Sequence, residues 1–211
     1  MPRPTKIAPE RGDARARLLE AATDLIRIHG FSATTVDDIC RRAQTTKGAF
    51  FHHFATKDAI GVAAADNWQR TTTAFFEAAS YHDPADPLDR VLGYVEFRRS
   101  IIAGAIPEFT CLVGTMVGEV HHDRPEIRDA CAASIFGHAA TLEADIAAAM
   151  TARGVDGGWS AAGLARHIQG VIQGAFVLAK AADDPDMARE SLDHLDRYLV
   201  LLLRPAAGSA A

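Results

Sequence analysis

The sequence predicts an all-α protein with a small three-helix head at its N-terminus and a larger helical body. Three observations lead there. About half of the 211 residues are apolar, Ala, Leu, Ile, Arg and Glu are prominent and few residues are β-branched, which favours helix over strand. Apolar residues recur at helical spacing in segment after segment. Thr residues stand where helix N-caps belong, and joints rich in Gly, Pro or Asp separate the periodic stretches.

In chain order, residues 1–12 hold three prolines with Arg3, Lys6 and Arg11. They read as a disordered basic arm, either touching DNA phosphates and the minor groove or lying idle. From about Asp13 to His29 a helix carries Leu18, Leu19, Ala22, Leu25 and Ile26 on one stripe, with Gly30 placed to end it as a left-handed C-cap. Arg15 and Arg17 lie near its exposed start, as solvated charges or phosphate contacts. Thr35 is the next N-cap, and Asp38 three residues on completes a capping box. Val36, Ile39, Cys40 and Ala43 follow on one narrow face, and Gln44 and Thr45 break the pattern. Thr46 then caps a helix from Lys47 to Phe54 that buries Phe50 and Phe54 and leaves Lys47, Gly48, Ala49, Phe51, His52 and His53 pointing elsewhere. Thr56 caps a long helix from Lys57 to about Ser80, with Trp68, Phe75 and Phe76 in its later half, before the loop HDPADP at 82–87.

Two helices joined by a turn of about three or four residues make a helix-turn-helix, whose second helix enters the major groove of DNA N-terminus first. Here Thr45, Thr46 and Lys47 suit phosphates or base edges, helped by the positive end of the helix dipole. The small Gly48 and Ala49 allow close approach to the backbone or a thymine methyl. The run TTVDDICRRAQTTKGAFFHHFATKDAI at 34–60 resembles, position by position, the signature of the TetR (tetracycline-repressor-like) family. That resemblance implies a DNA-binding regulator with contacts at Thr35, Thr45, Thr46, Lys47, Gly48, Ala49, Phe51, His52, His53 and Lys57, the last at the family's phosphate-gripping position. Four positions depart from the signature. Gln44 replaces the usual Gly, Thr45 a small apolar residue, and Phe51 and His53 two frequent tyrosines. Phe51 lacks the hydroxyl that often meets phosphate, which leaves that contact to His52 or His53.

Charge agrees with this division. The chain is at −5 overall, but residues 1–60 carry ten Lys/Arg against seven Asp/Glu, or +3, and the rest twelve against twenty, or −8. The scattered Cys40, Cys111 and Cys131 make no disulfide framework. No apolar run reaches the roughly 18 residues of a membrane span, and no signal-peptide pattern follows the basic start, so a cytoplasmic protein without membrane association is expected.

Further helices are expected near 88–103, 110–121, 125–152, 160–182 and 187–203, with a low-complexity, disordered tail at 205–211. The head is expected at 1–58 and the body at 59–204. Gly163, Gly170, Gly174 and Ala175 with Ile168, Val171, Ile172 and Leu178, and Leu192, Leu195, Tyr198, Leu199 and Leu202, form stripes on the last two helices. By the family resemblance they pair with their copies in a homodimer, which also suits the reading of a palindromic operator. Tyr94, Phe97, Arg98, Cys111, Leu112, Met116, His138, Gln169, Gln173 and Phe176 are the expected lining of a ligand pocket among the middle helices, although aromatics and Met at this spacing also fill any helical core. Arg98 and the two Gln residues are more telling, since a buried polar group needs a partner. Cys111 stands at a helix start, where thiols gain reactivity, and reads either as a sensor of oxidants or electrophiles or as a small buried residue. His121, His122 and Asp123 are adjacent and do not share a helix face, so no metal site is expected there.

The whole reads as a ligand-responsive, homodimeric DNA-binding regulator with no enzyme activity and no cofactor. By the resemblance it is a repressor, released from its double-stranded operator by a small, fairly apolar effector. A helical small-molecule-binding protein with a degenerate head, a helical enzyme, and an architectural DNA-coating protein are the alternatives.

Overall fold

The computed structural model describes residues 13–203, and the described residues form helices and turns with no strand among them. The basic arm and the tail expected from the sequence lie outside the described residues.

Local capping sets the head. Helix α1 (Ala14–His29) starts where the Asp13 side chain accepts from Arg15 N–H. Helix α2 (Val36–Arg42) opens on a reciprocal box: Asp38 N–H donates to Thr35 Oγ1 at 3.1 Å, and Thr35 N–H to Asp38 Oδ2 at 3.2 Å. Thr46 and Thr56 accept from Ala49 and Ala59 N–H and start α3 (Lys47–His53) and α4 (Lys57–Glu77). Gly30 ends α1 at φ 87° and ψ 164°. This is an extended, Gly-only conformation rather than the left-handed helical one the sequence suggested. A Cβ on Gly30 would also stand 2.2 Å from Glu119 Oε1.

The body differs from expectation at three places. Helix α4 ends at Glu77, and a 3-10 turn at Ser80–His82 precedes α5 (Pro87–Ser100). The joint after α5 contains a short α6 (Ile106–Phe109), with Pro107 in its first turn and Glu108 bonding back to Ala105 N–H, ahead of α7 (Leu112–Val120). The single helix expected over 125–152 is two, α8 (Pro125–Ala140) and α9 (Glu143–Arg153). At the break, Thr141 and Leu142 N–H turn to the carbonyls three residues back, and Leu142 is buried. The long α10 (Ala161–Ala182) and α11 (Asp186–Leu202) close the body and pack on each other.

Two main apolar cores result. The first gathers Leu18, Ile26, Phe31, Ile39 and Phe50 of the head with Ile60, Leu112, Met116 and Ile127, so it continues past residue 58 into the body. The second gathers Tyr94, Ile146, Ile168, Ile172, Leu192 and Leu199. Cys111, half-buried, packs against both.

Candidate functional site

Helix α3 anchors itself through Phe50, fully buried, with Phe54 just beyond its end at 4% exposure. Burying such a ring contributes about 2–3 kcal/mol, which fixes the rotation of a helix only two turns long. The opposite side faces out. Thr46, Lys47, Gly48 and His52 are exposed, Thr45, Ala49 and His53 are half-buried, and Phe51 leaves 54% of its surface open. The Lys47 ammonium pairs with the exposed Asp37 of α2 at 2.7 Å, and that hydrogen bond raises its pKa. An exposed pair of this kind is weak enough for a phosphate to displace the carboxylate. Thr35 Oγ1 serves Asp38, both accepting from its N–H and donating to its carboxylate at 2.6 Å, and that bond holds the Asp38 pKa down. Lys57 is half-buried rather than extended into solvent. It donates to the Ser32 carbonyl at 3.1 Å over the Phe31 ring, and burial, then the Arg124 charge, lower its pKa. Gln44, in the Gly position of the family signature, sits at φ 50° and supplies the turn between α2 and α3.

The head is tied to the body by charged groups. Glu119 of α7 accepts from Phe31 N–H at 3.2 Å and Ser32 N–H at 2.8 Å. Arg124 grips both Asp58 oxygens at 2.5 and 2.6 Å. Arg27 of α1 donates to the Thr110 carbonyl at 3.0 Å.

A cleft opens in the body between α4, α5, the α6–α7 corner, α8 and α10. Its walls are Trp68, Thr72, Phe76, Arg98, Phe109, Cys111, Val113, Ser134, Ile135, His138, Gln169, Gln173 and Phe176. It holds about 410 Å³ of space between atoms, part of it open to solvent, of which about 40 Å³ can take the centre of a water molecule. Of the ten residues expected from the sequence, Arg98, Cys111, His138, Gln169, Gln173 and Phe176 meet here. Leu112 and Met116 do not, because each is fully buried in the first core. Phe97 stands behind the wall, against Phe75, Phe76 and Tyr81. Tyr94 is also behind the wall, and its hydroxyl is a hub. Arg98 Nε donates to it at 2.9 Å and Gln169 Nε2 at 2.6 Å, so its own proton goes to His138 Nε2 at 3.0 Å. His138 is thereby held neutral, and burial, then the Arg98 charge, push its pKa down to about 3. The sequence reading missed the contribution of α4. Trp68, Thr72 and Phe76 stand at i, i+4 and i+8, one line along that helix, and this spacing was the available signal.

The outer faces of α10 and α11 carry apolar side chains in the open. Val177, Leu178, Tyr198 and Leu201 are 64, 54, 43 and 63% exposed. A Cβ added at Gly170 or Gly174, on the same side of α10, would meet nothing within 4 Å.

Residues 18–64 match the family described as bacterial regulatory proteins, tetR family, and residues 87–195 match the tetracyclin repressor-like C-terminal domain. The HTH-type transcriptional repressor Rv3405c of Mycobacterium tuberculosis is 30% identical over 124 residues, 59% of this chain and 60% of that protein. The A-factor receptor protein of Streptomyces griseus is 38% identical over 60 residues, 28% of this chain and 21% of that one. The matches therefore span less than two thirds of these relatives. Among solved structures, reduced E. coli NemR superposes at a TM-score of 0.75 with 20% identity, covering 88% of this chain and 96% of its own. A TetR transcriptional regulator from Chloroflexus aurantiacus gives 0.77 with 21% identity, covering 92% and 97%. At such identities these two speak for the fold. The second of the two family matches alone takes in more than half of the sequence, and the chain belongs to the TetR family of bacterial transcriptional regulators.

Proposed function

We propose that this chain is a homodimeric repressor that reads a palindromic operator through α3 and leaves it when a small, fairly apolar effector enters the body cleft. It acts in the cytoplasm, where the DNA is. The observation that carries this reading is the two-sidedness of α3. Phe50 and Phe54 lock it to the head, while Lys47, Gly48, Phe51 and His52 lie exposed on its other side, held only by surface contacts: Lys47 to Asp37, the Phe51 ring edge-on to Phe50 and His52 to His53. An exposed Phe on a surface helix suits contact with a thymine methyl or sugar better than contact with water. The uncovered stripe on α10 and α11, with two glycines for close approach, supports a two-fold pairing. The cleft, walled by apolar rings and dotted with polar groups, supports the effector. Selecting bound sequences from a random duplex pool at two salt concentrations tests the reading. An inverted repeat is expected; a pool with no enriched sequence overturns it.

One observation favours a second mode of release. The Cys111 sulfur lines the cleft, accepts from Gly114 N–H at 3.5 Å as the cap of α7, and touches both cores. Cys40 and Cys131 are buried, and burial pushes the Cys131 thiol up to about 12. Limited iodoacetamide treatment should therefore label Cys111 first and weaken operator binding. Labelling of Cys111 with unchanged binding removes this second mode.

A further inference from the structure

The cleft has one charged wall residue with nothing opposite it. Arg98 is the one Asp, Glu, Lys or Arg among the described lining residues. Its neighbours on α5 are paired: Arg90 with Asp145 at 2.8 Å and Arg99 with Asp193 at 2.6 Å. Arg98 has no carboxylate partner among the described residues. Only its Nε is used, donating to Tyr94 Oη at 2.9 Å, and its plane is held over the Phe76 ring at 4.3 Å. The two terminal nitrogens therefore keep their N–H groups for a ligand, in a fork already oriented.

We infer that the effector carries a single carboxylate on an otherwise apolar body, and that Arg98 receives that carboxylate. The inference rests on reading the cleft as the effector site. The Tyr94 hydroxyl is saturated, so it orients Arg98 rather than binding the ligand itself. His138 spends Nε2 on that hydroxyl and carries its proton on Nδ1, which has no partner among the described residues. The Gln173 amide and the Ser134 hydroxyl, likewise without partners among the described residues, add neutral donors at the wall. The wall thus offers several donors around one fixed positive charge, beside the amide oxygens of Gln169 and Gln173 and the Ser134 oxygen, which can accept. A neutral ligand that drove water out would leave that charge uncompensated, a cation would be repelled, and a dianion would bring a second charge with no partner. The apolar part of the wall is Trp68, Phe76, Phe109, Val113, Ile135 and Phe176, which suits an aryl or short acyl body, with Thr72, Cys111 and Gln169 between them. The space open to water centres, about 40 Å³, is well below the roughly 150 Å³ cavity that takes benzene. Entry of such a ligand must therefore move some of the helices that wall the cleft apart.

Calorimetric titration of the full chain tests this with hexanoate, benzoate, phenylacetate and phenylpropanoate, each beside its primary amide. At least one acid is expected to bind about ten- to hundredfold tighter than its amide, the range for a charge-assisted pair. Arg98→Met should abolish the difference, and Arg98→Lys should keep part of it, with circular dichroism confirming the fold. If Arg98→Met does not fold, the acid-to-amide ratio of the unaltered protein decides. Amides that bind as well as acids and release the operator overturn the carboxylate while leaving a ligand-released repressor. Acids that bind without affecting operator affinity support the carboxylate and overturn the release. No binding in either series overturns the carboxylate, whatever the DNA result.

Discussion

The Arg27 guanidinium of α1 lies over the Trp68 ring of α4, 5.0 Å from its centroid, while its Nε reaches the Thr110 carbonyl just before Cys111. One side chain of the head thus touches two walls of the cleft, since Trp68 and Cys111 both line it. If the proposed effector moves α4 from the α6–α7 corner, it should pull on both contacts, and α1 should carry the shift into the core on which α3 sits. Burial lowers the Arg27 pKa, yet a guanidinium remains charged at any physiological pH. Arg27→Ala should cost about 2 kcal/mol, for one charged hydrogen bond and one cation–π contact. Thermal unfolding should register this as a drop of roughly 4–8 °C for a chain of this size. Operator affinity without ligand should change little, and the drop in affinity on ligand addition should shrink. An unchanged ligand response means that the signal runs through Asp58–Arg124 or Glu119 instead.

Lys47 and Asp37 lead to opposite expectations for DNA. If Lys47 grips a phosphate in each protomer as proposed, Lys47→Ala should flatten the slope of log affinity against log salt by about 1 per protomer. Asp37→Asn releases Lys47 and removes a negative charge beside the reading helix, so binding should tighten several-fold at low salt. Fluorescence anisotropy on the selected operator reads both. Weaker binding by Asp37→Asn means that the carboxylate positions Lys47 rather than competing for it.

Gln44 sits at φ 50°, where a side chain costs about 1 kcal/mol relative to glycine. Gln44→Gly should therefore stabilise the head by at most about 0.5 kcal/mol, after the greater entropy of glycine in the unfolded chain, roughly 0.4–1 kcal/mol, is subtracted. Chemical denaturation followed by tryptophan fluorescence measures it. Lower stability means that the exposed Gln44 side chain makes up for its backbone.

The head was legible because its instructions are local. Thr35 with Asp38, Thr46 and Thr56 each cap a helix within three residues, and the i, i+4 pair Phe50 and Phe54 names the buried side of α3. The body was less legible where packing between distant segments decides. No Gly or Pro marks the break at Thr141–Leu142; it follows from burying Leu142 in the second core. Leu112 and Met116 carry the same helical spacing as a pocket wall, but α7 turns them toward the head and gives the cleft Cys111 and Val113. Periodicity tells which side of a helix is covered, and not whether a core or a cleft covers it.

His138 makes stability depend on acid. Its pKa falls from 6.5 to about 3 because burial and the Arg98 charge oppose its protonation. In the unfolded chain the ring takes up a proton as pH drops below about 6.5, and in the folded chain it does not. The unfolded state then binds more protons, so stability falls with falling pH, by up to about 1.4 kcal/mol per unit, until the folded ring protonates near pH 3. His138→Gln keeps an acceptor for the Tyr94 hydroxyl and removes the titration. Urea denaturation of both proteins should give parallel stability curves above about pH 7 and a parent that loses ground to His138→Gln from about pH 6 down to 4.5. Curves that stay parallel throughout mean that the ring protonates inside the fold, which happens only if Tyr94 turns to accept from it. The Arg98 and Gln169 contacts to that hydroxyl would then have to loosen together in acid, and so would the grip of Arg98 on a carboxylate.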